Sequence, residues 1–279
     1  MEKFNLERYS PDYIFIHHKT KNAKELFLDF SKKYEGYAIK PCGLCSGKGV
    51  KLSGEHFKDI NEAYEYIDYL IDKKENFVVE EKLIGQEFSL MCFTDSKTLK
   101  HMPPVKDYKR AYDGDKGPNT GSMGSISFKN HLLPFLSEND VEEAQIINQN
   151  IIEALNTNYN TDLRESYDFQ TKSSFESNGI KSSNDSNSSN ISETFEEDVF
   201  IDKDNKLSNI GYRGILYGSF MKTNHGIKVI EYNARFGDPE CINILKILNT
   251  DLDSIFRCIN NRTLNTIDID FSYKTTLCK

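Results

Sequence analysis

The sequence predicts an α+β fold in which antiparallel hairpins and amphipathic helices follow one another along the chain. Two pairs of β-patterned segments point to the hairpins: residues 87–94 with 99–102, turned by Asp95-Ser96-Lys97, and residues 212–220 with 227–235. Two segments, 59–72 and 138–155, carry apolar residues at the three- and four-residue spacing of a helix with one buried stripe. Long glycine-rich stretches at 43–49 and 106–124 interrupt these elements and match neither period.

Taken in order, residues 1–35 form a polar lead-in, with a short strand at Tyr13–Ile16 and a helical patch at Ala23, Leu26, Phe27 and Phe30. Residues 36–105 form a small unit. It opens with a strand at 37–40, passes through the first glycine loop, and enters a helix whose stripe is Ile60, Ala63, Tyr64, Ile67, Leu70 and Ile71. Asp59 and Glu62 have capping-box spacing at its start. A strand at 77–79 and the first hairpin complete the unit. Residues 106–260 form a larger unit, with a helix over 138–155 (stripe Val141, Ala144, Ile147, Ile151, Leu155), the second hairpin, and a helix from Pro239 to about Ile255. Between them, about 160–197 is rich in serine and asparagine. It has too few apolar groups to offset the entropy of ordering and reads as a disordered insertion. Residues 261–279 read as the opening of a further domain.

Bulk composition excludes several functions. Lysine and arginine number 35 against 43 aspartates and glutamates, a net charge of −8. That disfavours general nucleic-acid or anionic-membrane binding. No apolar run approaches the roughly 20 residues of a membrane-spanning helix. The six cysteines lack the density of a disulfide scaffold. Cys42 and Cys45 have redox or zinc spacing, but no second pair follows, so they read as small loop residues in a reducing cytoplasm.

The residues that carry chemistry fall in four places. On a strand over 229–235, side chains two apart share a face. Glu231, Asn233 and Arg235 then lie on one side and Ile230, Tyr232 and Ala234 on the other. A carboxylate and an amide oxygen suit Mg²⁺ completed by substrate phosphates. A neighbouring guanidinium suits a phosphoryl oxygen. The same stretch also reads as a half-exposed strand with a salt-bridged surface. In the first glycine loop, Gly43, Gly47 and Gly49 bring bare backbone near a ligand, and Lys40 and Lys48 add charge for an anion. The spacing is neither a Walker A motif nor a dinucleotide fingerprint, and a flexible hairpin tip with surface lysines also fits it. At Glu80-Glu81-Lys82-Leu83 a strand end offers main-chain groups to a flat heterocycle, and Glu87 is placed for ribose hydroxyls. In the second loop, Lys109 and Arg110 suit a phosphate or carboxylate, with Asn119 and Thr120 to orient it.

These stretches, in this order, resemble an ATP-grasp ligase. They resemble most closely the phosphoribosylamine–glycine ligase (glycinamide ribonucleotide synthetase) family of purine synthesis. The matching text is Ile39-Lys40-Pro41 through Gly47-Lys48-Gly49-Val50, then Val79-Glu80-Glu81-Lys82-Leu83, then Asp107-Tyr108-Lys109-Arg110 through Gly114 to Gly124, then Glu231-Tyr232-Asn233-Ala234-Arg235-Phe236-Gly237-Asp238-Pro239-Glu240. The resemblance implies two α+β subdomains clamping a nucleotide between antiparallel sheets. By it, Lys40, Gly47, Lys48 and Gly49 take the ATP phosphates, Glu80, Glu81 and Leu83 border adenine, and Glu87 takes the ribose. Glu231 and Asn233 bind Mg²⁺ or Mn²⁺. Arg235, Lys109 and Asp107 serve catalysis, while Lys109, Arg110, Gly117, Pro118, Asn119, Thr120 and Gly121 hold glycine and phosphoribosylamine. The implied reaction joins the two through glycyl phosphate. Family members carry a further N-terminal domain and a closing C-terminal domain, so the resemblance also implies a chain lacking the first and most of the second, complemented by a separate chain. Lys106 stands where the family usually has glutamine. An ATP-grasp ligase using a different amine, and a nucleotide-binding fragment that needs a partner, are the alternatives.

Overall fold

The computed structural model describes residues 6–43, 49–114, 116–177 and 211–279. Strands β1 (Tyr13–Ile16), β2 (Tyr37–Pro41), β3 (Lys51–Leu52) and β4 (Phe77–Glu81) form an antiparallel sheet in the order β1-β4-β2-β3. Helices α1 (Ala23–Ser31) and α2 (Ile60–Asp72) pack on it. Phe27 and Ile67 from the helices meet Ile16, Ile39, Phe77 and Val79 from the strands in one core. The α2 start follows its sequence signal. The Asp59 carboxylate accepts from the Asn61 and Glu62 amides, and Glu62 accepts from the Lys58 amide at 2.7 Å. Such a cap contributes about 1 kcal/mol.

A second sheet organises the rest. It contains β5 (Gln86–Thr94), β6 (Leu99–His101), β11 (Gly214–Thr223) and β12 (Gly226–Asn233) in the order β12-β11-β5-β6. The expected division at residue 105 does not follow the sheets, because β5 and β6 pair into the larger unit. The nine-residue match of β5 to β11 (Thr94 opposite Gly214 through Gln86 opposite Lys222) joins segments far apart in sequence, which local patterning cannot register.

One face of this sheet is sealed. Phe88, Leu90, Phe220, Ile227 and Val229 pack on Ala144 and Ile147 of helix α3 (Glu138–Ser177). Further along, Cys92 and Leu216 pack on Ile152 of the same helix. Leu155, expected on the stripe, is exposed, and Ile152 takes the buried position. The opposite face is covered at one end only. There Met91, Phe93, Ile215 and Tyr217 meet α4 (Glu240–Ile247) and α5 (Leu252–Asn261). The end that the helices leave open carries Glu87 and Glu231, which line the cleft, with Ser89 and Ser219 buried between them on facing or alternate positions of β5, β11 and β12.

Three further expectations are corrected. The helix over 138–155 continues to Ser177, so residues 160–177 are helical; the rest of the expected insertion, up to 197, lies outside the described residues. No glycine or proline interrupts 138–177, and Ser137 and Asp140 cap its start reciprocally. The 106–124 stretch is not structureless: β7 (Lys106–Asp107), β8 (Arg110–Tyr112) and β9 (Lys116–Asn119) lie in it. Residues 261–279 do not stand apart. β13 (Thr276–Cys278) pairs with β10 (Ser125–Ser127), which pairs with β7, and Leu264 is buried in the α4–α5 core. The Asn156 side chain on α3 ties the β5–β6 turn to the residues before β11: its amide nitrogen donates to the Ser96 carbonyl at 2.6 Å, and its amide oxygen accepts from the Tyr212 amide at 3.1 Å.

His101 on β6 has a buried Nε2 without a hydrogen-bond partner, and burial pulls its pKa down to about 4. An unfolded histidine titrates near pH 6.5, so from there down to about pH 4 the unfolded chain binds a proton that the folded ring refuses. Stability is complete above that window and falls through it by up to about 3 kcal/mol. We expect His101→Phe to flatten this acid loss, read as the urea midpoint at a series of pH values; an unchanged slope would show that the ring is not the cause.

Candidate active site

A cleft of ≈ 2440 Å³ separates the two sheets, walled on a third side by the 106–124 stretch. Its geometry begins with an irregularity in β12. The register jumps between Ser219 opposite Glu231 and Phe220 opposite Val229, leaving Ile230 as an extra residue. This bulge lets Val229 and Glu231, two apart in sequence, serve opposite faces. Val229 enters the core, and exposed Glu231 lines the cleft. Strict alternation would put Ile230 on the core side with Tyr232; instead it lines the cleft. Tyr232 does face the core, donating to Asn148 Oδ1 at 3.0 Å. The strand ends at Asn233, so Ala234 is exposed rather than packed, and Arg235 sits in the following bend with Nη1 on the Phe236 carbonyl at 2.8 Å.

Glu231 and Asn233 lie side by side, with the Asn233 amide donating to Glu231 Oε1 at 3.0 Å. That leaves the amide Oδ1 and the second carboxylate oxygen for a ligand. Among the described residues, no group of three or more His, Cys, Asp or Glu is arranged to hold a metal by itself. The two oxygens therefore fit a hard cation whose coordination is completed by phosphate and water, as is usual for Mg²⁺.

Lys109 is the hub of the charged floor. Its Nζ lies 3.3 Å from Glu87 Oε2. Burial works against its charge, but the carboxylates of Glu87, Asp107 and Glu231 outweigh that and hold its pKa above the usual value. Asp107 moves in the same direction for another reason. Burial raises its pKa, the Ser122 hydroxyl (2.6 Å) and Lys109 oppose the shift, and Glu240 and Glu87 add to it. Behind them, Tyr217 donates to buried Glu240 at 2.7 Å, and burial together with Glu240 pushes the phenol far above its ordinary range.

Of the nucleotide positions expected from sequence, Lys40, Glu80, Glu81, Leu83 and Glu87 line the cleft, and Lys40 pairs with Glu80. Gly47 and Lys48 lie outside the described residues. Gly49 does not line the cleft; its carbonyl accepts from Tyr66 at 2.8 Å. Among the expected substrate positions, Lys109, Arg110, Thr120 and Gly121 line it, while Gly117, Pro118 and Asn119 are held in β9. Thr120 closes the base of the β8–β9 hairpin on the Lys109 carbonyl through both its amide (2.7 Å) and its hydroxyl (2.9 Å). Sequence reasoning missed Glu55, Met221, Tyr217 and Glu240. Met221 stands opposite Glu87 on β11 and lines the cleft. Glu240 was visible as the last residue of the acidic motif, but no local pattern marks it as buried.

Two α+β units with antiparallel sheets enclosing a charged cleft define an ATP-grasp fold. The solved structure of phosphoribosylamine–glycine ligase from Thermotoga maritima shares it, with a TM-score of 0.60 at 22% identity over 99% of this chain and 56% of that one. D-alanyl-alanine synthetase A from Vibrio cholerae matches with a TM-score of 0.54 at 11% identity, covering 94% of this chain and 62% of that one. The family follows from sequence: residues 8–162 and 178–241 match the phosphoribosylglycinamide synthetase, ATP-grasp (A) domain, and the chain belongs to that family. Proteins named phosphoribosylamine–glycine ligase are 36% identical over 100% of this chain in Methanosarcina barkeri and 39% identical over 94% in Methanocorpusculum labreanum. The chain spans 52% and 49% of those relatives, about half their length.

If Lys109 holds down the Asp107 pKa, Lys109→Met should raise it further. A carboxyl ¹³C NMR titration of the two proteins measures this; an unmoved or lowered Asp107 pKa would remove Lys109 from its surroundings.

Proposed function

We propose that this chain forms the nucleotide- and glycine-handling part of a phosphoribosylamine–glycine ligase. The observation that carries the reading is the convergence in one cleft of an oxygen pair (Glu231, Asn233), a half-buried ammonium (Lys109) and a carboxylate with a raised pKa (Asp107). ATP would lie between the sheets, with Lys40 on its phosphates, Glu80, Glu81 and Leu83 at the adenine and Glu87 at the ribose; the family resemblance alone adds Gly47 and Lys48 to the phosphate contacts. Mg²⁺ or Mn²⁺ on Glu231 and Asn233 would neutralise phosphate charge.

A glycine carboxylate oxygen attacks the γ-phosphorus and ADP leaves. Lys109 and Arg235 hold the transferred group in line and offset its charge, which is the main task in such a transfer. The amine of phosphoribosylamine then attacks the acyl carbon, phosphate leaves, and Asp107 accepts the amine proton. Gly117, Pro118, Asn119, Thr120 and Gly121 shape the wall against which the substrates sit, with Arg110 beside them. The half of the relatives' length outside the match would have to supply the remaining substrate contacts. Among the described residues no helix is long and apolar enough to cross a membrane, and Cys42, Cys92, Cys241, Cys258 and Cys278 are free thiols.

Coupled ADP release with glycine and phosphoribosylamine, with and without a chain supplying the relatives' N-terminal part, tests the reading. Turnover with another amine alone would favour a different ATP-grasp ligase. Glu231→Ala should lower metal-dependent turnover by at least about 100-fold with an unchanged circular dichroism spectrum; normal turnover would sink the metal assignment. Because the Asp107 pKa is raised and the residue acts as a base, activity should climb with pH through a value above the usual carboxylate range. Asp107→Asn should abolish that limb and cost roughly 10²–10⁴-fold in rate.

A further inference from the structure

The β8–β9 hairpin and the small sheet are joined across the cleft by an ion triad centred on Glu55, a residue that the mechanism above does not use. Glu55 lies in the turn after β3, in the small unit. Its Oε1 is 2.9 Å from Lys82 Nζ, and its Oε2 is 2.5 Å from Arg110 Nη2. Each partner is fixed a second time. Lys82 Nζ also donates to the Ser53 carbonyl at 3.1 Å, and Arg110 Nη1 donates to the Gly117 carbonyl at 3.0 Å, across the hairpin it begins. All three side chains are between a fifth and a third exposed, so water screens the triad only in part. Burial disfavours the Glu55 charge, but Lys82 and Arg110 outweigh it and hold its pKa below the usual carboxylate range.

The Arg110 guanidinium therefore has one donor nitrogen on the small unit and one on its own hairpin. Between the hairpin base and the floor lies one residue, Lys109. Its carbonyl takes both bonds from Thr120 while its ammonium sits beside Glu87 and Asp107. Displacing Arg110 would displace Lys109 as well.

We propose that Glu55 is a positioning residue: by gripping Arg110 it fixes the β8–β9 hairpin against the nucleotide-clamping unit and so sets where Lys109 stands in the cleft. Arg110 on this view is a latch to the small unit, and its substrate contact is made only with the donors left over. Placement of the small unit is thereby transmitted to the substrate wall without passing through the glycine loop. The consequence for catalysis rests on the ligase reading; the latch itself does not.

Hydrogen exchange of the full chain tests the latch without any ligand. The amides of Thr120 and Met123, bonded to the Lys109 and Tyr108 carbonyls at 2.7 Å each, report on the loop, and those of β4 serve as a control. Glu55→Gln should speed exchange at Thr120 and Met123 by about tenfold while leaving β4 unchanged. In an Arg110→Gln background the same substitution should add nothing. Unchanged loop exchange, an equal effect without Arg110, or equal loosening of β4 would each overturn the proposal. In the ADP-release assay, Glu55→Gln should raise KM for glycine and phosphoribosylamine with KM for ATP held, and Glu55→Asp should recover part of the loss. An unchanged kcat together with unchanged KM for glycine and phosphoribosylamine would show that Glu55 positions neither Lys109 nor the substrate wall. Absence of turnover in the parent chain, even with the relatives' N-terminal part supplied, would count against the ligase reading and leave the exchange result standing.

Discussion

The two faces of the β12-β11-β5-β6 sheet set the terms for everything else in the molecule. One face is closed by α3 with aromatic and branched aliphatic side chains, which fixes the strand register, because a slip of one residue would bury the acids and expose the core. The other face is half closed by α4 and α5. The end that they leave open carries Glu87 and Glu231, whose charges must be balanced from above, with Ser89 and Ser219 buried between them. Lys109 supplies that balance, so the 106–124 stretch is drawn down onto the sheet and stays there. The cleft's shape follows from charge neutralisation over a sealed core.

The parts of this arrangement that could be read from sequence are those with local periodicity. The Asp59 cap, the α2 stripe, the β5–β6 hairpin and the pairing of Glu231 with Asn233 each depend on residues within one turn or one strand. The family resemblance added the order of the pieces. What stayed hidden depends on distant partners. The bulge at Ile230 is a mismatch between two strands and has no signature in either alone. Burial of Glu240 depends on Tyr217, and the role of Arg110 depends on Glu55; both pairs join separate elements. The extension of α3 was masked by composition: serine and asparagine are poor in helix interiors but do not end a helix as proline does.

The two units are also unequal in what they contribute. The small sheet brings Lys40, Glu80 and Leu83 to the cleft on a core of its own, and its ion pairs, Lys40 with Glu80 and Lys82 with Glu55, occur at the cleft margin. The large unit brings the Glu231–Asn233 oxygen pair, the Lys109 ammonium and the Asp107 carboxylate. The more highly charged side of the cleft thus sits on the half that is braced by three helices, and the small sheet stands on two.

β12 is the outermost strand of its sheet. A long bare strand of that kind invites another chain to add on by main-chain pairing, which is how edge strands seed aggregates. Here the Ile230 irregularity breaks the row of available main-chain groups, and Lys228 reaches across to the carbonyls of Arg8 and Ser10, at 2.8 and 3.1 Å, drawing the N-terminal segment along the rim. The feature that aims a carboxylate into the cleft thus also guards the molecule's solubility.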